Sequence, residues 1–231
     1  MKNRKTYKAF TLVELLIVIS IIGILAGLVL PSVWGMLFEG DRTKSLNAAK
    51  QIATAWQKYT TSGGQQKRTV NAKDIHDWAF RLAEKADLNE PTLWILDVDP
   101  KVAEKIGAGA TMPANIGDKI GNEWKISEEF KSFPLSWEVA NKIPPNAKGH
   151  TPIIWTRGLK ANGDWDKEIG VFGDRGGHIA FVDMSVKWFD RLGGSDYPKG
   201  ALKVYGETRQ TFNIAQAVKD GSANILRSQT E

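Results

Sequence analysis

The stretch Ala9–Pro31, AFTLVELLIVISIIGILAGLVLP, constrains this chain more than any other. From Phe10 onward it is almost wholly apolar, and the run extends past Pro31 to about Phe38. Between Phe10 and Pro31 only Thr11, Glu14 and Ser20 interrupt it with polar side chains. About 20 apolar residues suffice for a helix to cross the hydrocarbon core of a bilayer, so the run predicts a membrane span. Lys2, Arg4, Lys5 and Lys8 precede it. That positive flank predicts a cytoplasmic N-terminus and export of residues 35–231.

Glu14 is the residue that needs explaining. A carboxylate costs about 2.5–3.5 kcal/mol at the centre of a bilayer, less near an interface, and is usually kept there for function. It needs a cation, and none is encoded between Phe10 and Met36. A cut between Ala9 and Phe10 would create one, the α-amine of Phe10, protonated below a pKa of about 8. That amine would lie one helical turn from Glu14, in the same chain or in a neighbouring copy.

The segment Lys8-Ala9-Phe10-Thr11-Leu12-Val13-Glu14-Leu15-Leu16, continued by Ile21-Ile22-Gly23-Ile24-Leu25-Ala26, resembles the class III signal of type IV pilins and type II secretion pseudopilins. The resemblance implies cleavage between Ala9 and Phe10 by a prepilin peptidase and methylation of the Phe10 amine. It implies that Glu14 pairs with the amine of an adjacent subunit during filament assembly. Gly23 and Pro31 fall where such helices bend or melt. Ala9 departs from the family, which normally has Gly there. A secretory signal peptide has a shorter core ending at a small-x-small site, and no such site is evident near Leu28–Gly35.

Pro31 lacks an N–H and predicts a kink in an otherwise continuous helix. Leu46, Ala49, Ala53, Trp56 and Thr60 recur at helical spacing, with Ile52 and Tyr59 widening the face. One helix is therefore expected from about Phe10 to Thr61, ending before Ser62-Gly63-Gly64. The expected organisation is a leader over 1–9, an assembly and membrane half over 10–34, and an exported head over 35–231 that includes helix 35–61. The head has roughly 195 residues, enough for one core.

Asn71 reads as an N-cap for a second amphipathic helix over about 72–87, and Pro91 breaks it. Leu93–Val98 reads as a strand, Asp99-Pro100 as the start of a turn or short helix through Ile106, and Gly107–Asn122 as loop. The GAGA within that loop lacks the Lys-Ser/Thr of a phosphate loop. From Phe133 the pattern turns to β: Leu135–Val139, Pro152–Thr156, His178–Asp183 and Val186–Phe189 are short, apolar and closely spaced, as antiparallel hairpins are. Phe212–Val218 reads as a last short helix or strand, and the chain from Lys219 as a tail. The fold class expected is α+β: a long N-terminal helix packed on a C-terminal antiparallel sheet, as in pilins.

Gly176–Asp183 followed by Met184–Phe189 resembles a C-terminal signature of prepilin-like proteins, in which a strand ends in Asp-Gly and returns with an aromatic. Met184 stands where that signature has Gly. If the turn needs a positive φ there, Met costs about 1–2 kcal/mol. Trp155-Thr156-Arg157-Gly158 fits the same subgroup.

Net charge is +5, but four positive charges lie in the leader, and a chain without it would be near +1. The basic balance is thus mainly a targeting feature, and no nucleic-acid partner is expected. The chain has no cysteine, so no disulfide pins its C-terminal region. Three histidines show no metal-ligand spacing, no nucleophile elbow appears, and no enzyme activity is expected. The acidic loop Asp164-Trp165-Asp166-Lys167-Glu168, with Asp174 nearby, suits a hard cation such as calcium, and resembles the calcium-pinned loop of major pseudopilins. Asn162-Gly163-Asp164 is also ordinary turn chemistry.

The expected function is structural, as a subunit of a type II secretion pseudopilus or a type IV pilus-like filament. The resemblance implies a prepilin peptidase, a polytopic inner-membrane platform protein and an assembly ATPase as partners, with the head periplasmic or on the cell surface. The alternative is a membrane-anchored binding module or enzyme that uses the helix only as an anchor.

Overall fold

The computed structural model describes residues 11–62, 68–144 and 146–228, with the side chains of residues 29–32 and 34 also outside the description. The architecture is the expected α+β, pilin-like one: an N-terminal helix, further helices, and a C-terminal antiparallel sheet. Helix α1 spans Leu12–Thr61. The chain divides into two compact units, Met1–Thr43 and Lys44–Glu231.

The second unit begins with the last part of α1. Ser45, Ala48, Ala49, Ile52, Ala53, Trp56 and Tyr59 are buried, while Leu46 is half-buried and Lys50, Gln51 and Lys58 are exposed. The buried stripe is therefore close to the predicted face, rotated toward Ser45 and Ala48. Small residues dominate it, so the helix backbone can approach its neighbours. Ser45 Oγ lies 3.0 Å from Nδ1 of buried His178, which ties α1 to the sheet.

Helix α2 spans Ile75–Ala86. Its N-cap is Asp74 and not Asn71: the Asp74 carboxylate accepts from the Asp77 amide at 2.8 Å. Asn71 and Asp74 are both good caps, and the apolar stripe Ile75, Trp78, Ala79, Leu82 decides where the helix must start. Leu93–Val98 is not a strand. Pro91 opens a short 3-10 turn, Pro91–Leu93, with Trp94 N donating to Pro91 O at 2.9 Å. Trp94, Ile95 and Leu96 are buried all the same. A short apolar run reports burial and not its secondary structure. Helix α3, Pro100–Gly107, follows as expected, capped by Asp99.

The region read as loop ends in a hairpin, β1 (Gly117–Ile120) with β2 (Glu123–Ile126). Gly121, φ 65, takes the first central position of its two-residue turn, the place where a II′ turn calls for Gly. Helix α4 is one short piece, Glu128–Ser132, capped by Ser127. The main sheet has β3 (Trp137–Ala140), β4 (Pro152–Thr156), β5 (Gly177–Phe181), β6 (Val186–Phe189) and β9 (Ile225–Leu226), in the order β6-β5-β4-β3-β9 and all antiparallel. Between β6 and β9 come the small hairpin β7 (Leu202–Lys203) with β8 (Gln210–Thr211), and helix α5 (Ile214–Ala217).

The chain from Lys219 is not a tail as far as Ser228. Strand β9 pairs with β3 through Val139↔Leu226 and Ala140↔Ile225. Asn141 N donates to Asn224 O at 2.7 Å, and Leu135 N donates to Ser228 Oγ at 3.0 Å. Backbone pairing thus holds the C-terminal segment without a disulfide.

Arg157, just past β4, and Asp99 form a fully buried ion pair. Arg157 Nη1 donates to Leu135 O at 2.8 Å and Nε to Ile169 O at 3.0 Å. Asp99 also accepts from Ser136 Oγ at 2.7 Å and from Lys101 N at 3.0 Å. Removing one member of such a pair strands the other charge, at about 3–5 kcal/mol. Arg157→Met is expected to cost about that much, read as a fall in the urea midpoint of the head.

Met184 has φ 68, so the β5–β6 turn does need a positive φ at this position. Its amide donates to Phe181 O at 2.9 Å, and Asp183 Oδ1 accepts from Ser185 N at 3.0 Å. The side chain at position 184 therefore works against the turn. Met184→Gly is expected to stabilise the head by about 1 kcal/mol, seen as a higher urea midpoint with an unchanged slope.

Candidate functional site: the start of helix α1

The functional feature predicted most sharply is the start of α1. Ala9 and Phe10 lie outside the described residues. Thr11 precedes the first helical residue, Leu12. Glu14 Oε2 accepts from Thr11 N and from Thr11 Oγ1, each at 2.8 Å, and Glu14 N donates to Thr11 Oγ1 at 3.2 Å. This is a capping box, in which two helix-end donors are satisfied reciprocally. Thr11-Leu12-Val13-Glu14 carries its sequence signature, which a reading of Glu14 as an assembly charge alone passes over. The carboxylate is held beside the Thr11 amide, one residue from the nitrogen that a cut before Phe10 would free.

Beyond Glu14 the helix is apolar on every side. Leu12, Leu16, Ile19, Ile22, Leu25 and Leu28 are all more than half exposed, and Val13, Leu15, Ile17, Ile21 and Ile24 match them on the other faces. Ser20 returns its hydroxyl to Leu16 O at 2.7 Å, which removes its polarity from the surface. A helix apolar all round belongs in lipid or among other helices. Among the described residues no helix is long and apolar enough to cross a membrane. Gly23 lies within α1 with nothing within 4 Å of where a Cβ would sit. Neither Gly23 nor Pro31 ends the helix, which runs unbroken to Thr61.

The acidic loop is a different matter. Asp166 Oδ1 accepts from Glu168 N at 2.8 Å and Ile169 N at 3.1 Å. Those two amides hold its carboxyl below the usual range, with a small addition from Lys160. Asp164 Oδ2 accepts from Asn162 Nδ2 at 3.0 Å, and Asp174 sits in the separate 3-10 turn Gly173–Arg175. Among the described residues no group of three or more His, Cys, Asp and Glu could hold a metal ion. The structure does not bring Asp164, Asp166 and Asp174 together as a calcium site. Asp164 and Asp166 instead spend their oxygens on local turn bonds.

The histidines are equally dispersed. His76 Nε2 lies 2.9 Å from Phe133 O, and His178 faces Ser45 and the edge of Trp188. His150 is pushed toward its neutral form by burial and then by Lys203 and Lys148.

Glu138, on β3, is a buried carboxylate that sequence reasoning missed, because it sits in a strand buried on both faces. Its Oε2 accepts from Trp155 Nε1 at 2.9 Å and from Arg227 Nε at 3.2 Å. Burial nevertheless outweighs both and raises its pKa above the usual carboxylate value. A raised pKa means the folded head holds this proton more tightly than the unfolded chain does. The stability it contributes is complete below the ordinary Glu pKa and is lost as pH rises through the folded value. Glu138→Gln is expected to remove that part of the pH dependence, so that urea midpoints of variant and wild type diverge in the variant's favour as pH rises from the acid side toward neutrality.

Residues 4–30 match the family model of the prokaryotic N-terminal methylation motif. That motif is the prepilin signal of type IV pilins and pseudopilins, and here it precedes an α+β fold. The motif points to processing by prepilin peptidase and to filament assembly. No solved structure matches the chain.

Proposed function

We propose that this protein is a structural subunit of a type II secretion pseudopilus, or of a closely related type IV pilus-like filament. The observation that carries the proposal is the prepilin motif at the head of a helix whose apolar side chains are exposed on every face. Such a helix has two compatible environments, a bilayer before assembly and a bundle of identical helices afterwards. One repeated, non-closing interface between copies generates an open helical filament. Cleavage before Phe10 supplies the amine, and Glu14 of a neighbouring copy sets the register, because an unpaired charge in a dry helix bundle is penalised. Before assembly the Thr11 capping box would keep the carboxylate satisfied.

In this reading the subunit waits in the inner membrane with its head on the periplasmic side. A platform protein and a cytoplasmic ATPase drive it into the filament. The absence of cysteine and the β5–β6 resemblance favour the pseudopilus over the surface pilus. Deleting the gene should then abolish export of secreted enzymes and leave adhesion, motility and DNA uptake unchanged.

The mass of the protein extracted from membranes of its own host tests the first step. Loss of residues 1–9 with one added methyl on Phe10 is the expected result, and retention of the leader would overturn the proposal. Glu14→Leu tests the second step. The variant is expected to be cleaved normally and to be absent from sheared or cross-linked filaments. A membrane-anchored module or enzyme would instead keep its activity with either residue.

A further inference from the structure

The head has a cleft of about 900 Å³ bounded by α2, α3, the end of β2, and α4 with the Phe133-Pro134 segment that follows it. That is near the upper end of the range for ligand sites. Its accessible apolar lining includes Phe80, Ile126 and Pro134, all half-buried. Its charges are unequally satisfied. The three carboxylates that line it are all engaged: Asp74 caps α2, Asp77 accepts from Lys73 N at 2.9 Å and from Arg81, and Glu104 pairs with Lys101 at 3.1 Å. Lys131 and Arg227 also line it and are paired, to Glu128 and Glu138. Among the described residues, Lys73 and Lys105 have no ion-pair or side-chain hydrogen-bond partner. Lys73 precedes α2 and Lys105 lies in the last turn of α3, so the two unpaired ammonium groups come from different elements.

We infer that this cleft is a docking site for an extended acidic segment of another polypeptide, one that places an apolar side chain against Phe80, Ile126 and Pro134 and carboxylates toward Lys73 and Lys105. Charge complementarity selects the occupant. A basic peptide would meet two uncompensated lysines, and the carboxylates it could use are already engaged. Nucleic acid fits less well, since Phe133 is buried in the floor and offers no stacking face. This inference stands apart from the filament reading, because either can fail while N-terminal processing or peptide binding holds.

The test uses full-length protein in detergent micelles and a fluorescein-labelled peptide of alternating glutamate and phenylalanine, followed by fluorescence anisotropy. Saturable binding is expected, weakening as salt is raised. The double variant Lys73→Glu/Lys105→Glu should weaken it by roughly tenfold or more. Lys187→Glu/Lys203→Glu, which lies at a different cavity of the head, should leave it unchanged, with circular dichroism confirming that both variants fold. No saturable signal, an equal loss in both double variants, or equally tight binding of a lysine–phenylalanine peptide or of single-stranded DNA would overturn the inference.

Discussion

The guanidinium of Arg157 is the interaction on which the head depends. It lies just past β4 and reaches three otherwise separate segments: Asp99 at the start of α3, the Leu135 carbonyl ahead of β3, and the Ile169 carbonyl in the loop before β5. An arginine can do this because its five donors are fixed in a plane and its charge survives burial. Asp99 extends the network to Ser136, whose hydroxyl oxygen in turn accepts from Leu96 N at 3.0 Å. A chain without cysteine thereby gains a rigid junction where a disulfide would otherwise be the simplest staple. Gly158 follows, with φ 103, and a Cβ there would lie 2.4 Å from Gly170 Cα. The junction is therefore closed by two glycine backbones in contact.

Around that junction the sheet and the helices have different tasks. The sheet core is walled by large aromatics, with Trp137 donating to Leu93 O and Trp155 to Glu138. These two indoles each bury a large apolar area and find a partner for the one N–H. The last part of α1 contributes mostly small residues to this core, so it lies close and adds few side-chain constraints of its own. The first part of α1 belongs to the other compact unit, Met1–Thr43. Its apolar residues face outward, and only association with lipid or with other copies gives them a favourable environment.

Some of the molecule was legible in the sequence because it rests on local rules. Helical periodicity located α1 and α2. Turn residues and β-branched runs located β4 and β6 to the residue and β3 and β5 to within two. The turn at Met184 was legible as a conflict, a bulky side chain where the pattern wants Gly, and the positive φ shows that the conflict is real. Other features were not legible. The dipeptide β9 is too short to have a pattern, and it exists only because β3 offers it an edge. The buried run Trp94–Leu96 looked like a strand because apolarity alone does not distinguish a strand from a buried turn. The carboxylates of the 164–174 loop looked like ligands because composition does not say whose amides their oxygens already accept.

The sequence by itself determined a long apolar helix start behind a basic leader, carrying the prokaryotic N-terminal methylation motif over residues 4–30. A long apolar run, a basic leader and the Thr-Leu-Val-Glu start are contiguous, and contiguous signals do not need a fold to be read. It also determined the α+β class, since helical periodicity and short runs of β-forming residues occupy largely separate parts of the chain. Only the tertiary structure decided what holds the head together. Arg157, Asp99, Glu138 and the segment 224–228 are far apart in sequence, and their roles arise from proximity. Burial changes the energetics of a charge or an unpaired amide by several kcal/mol, and burial is a property of the packed molecule.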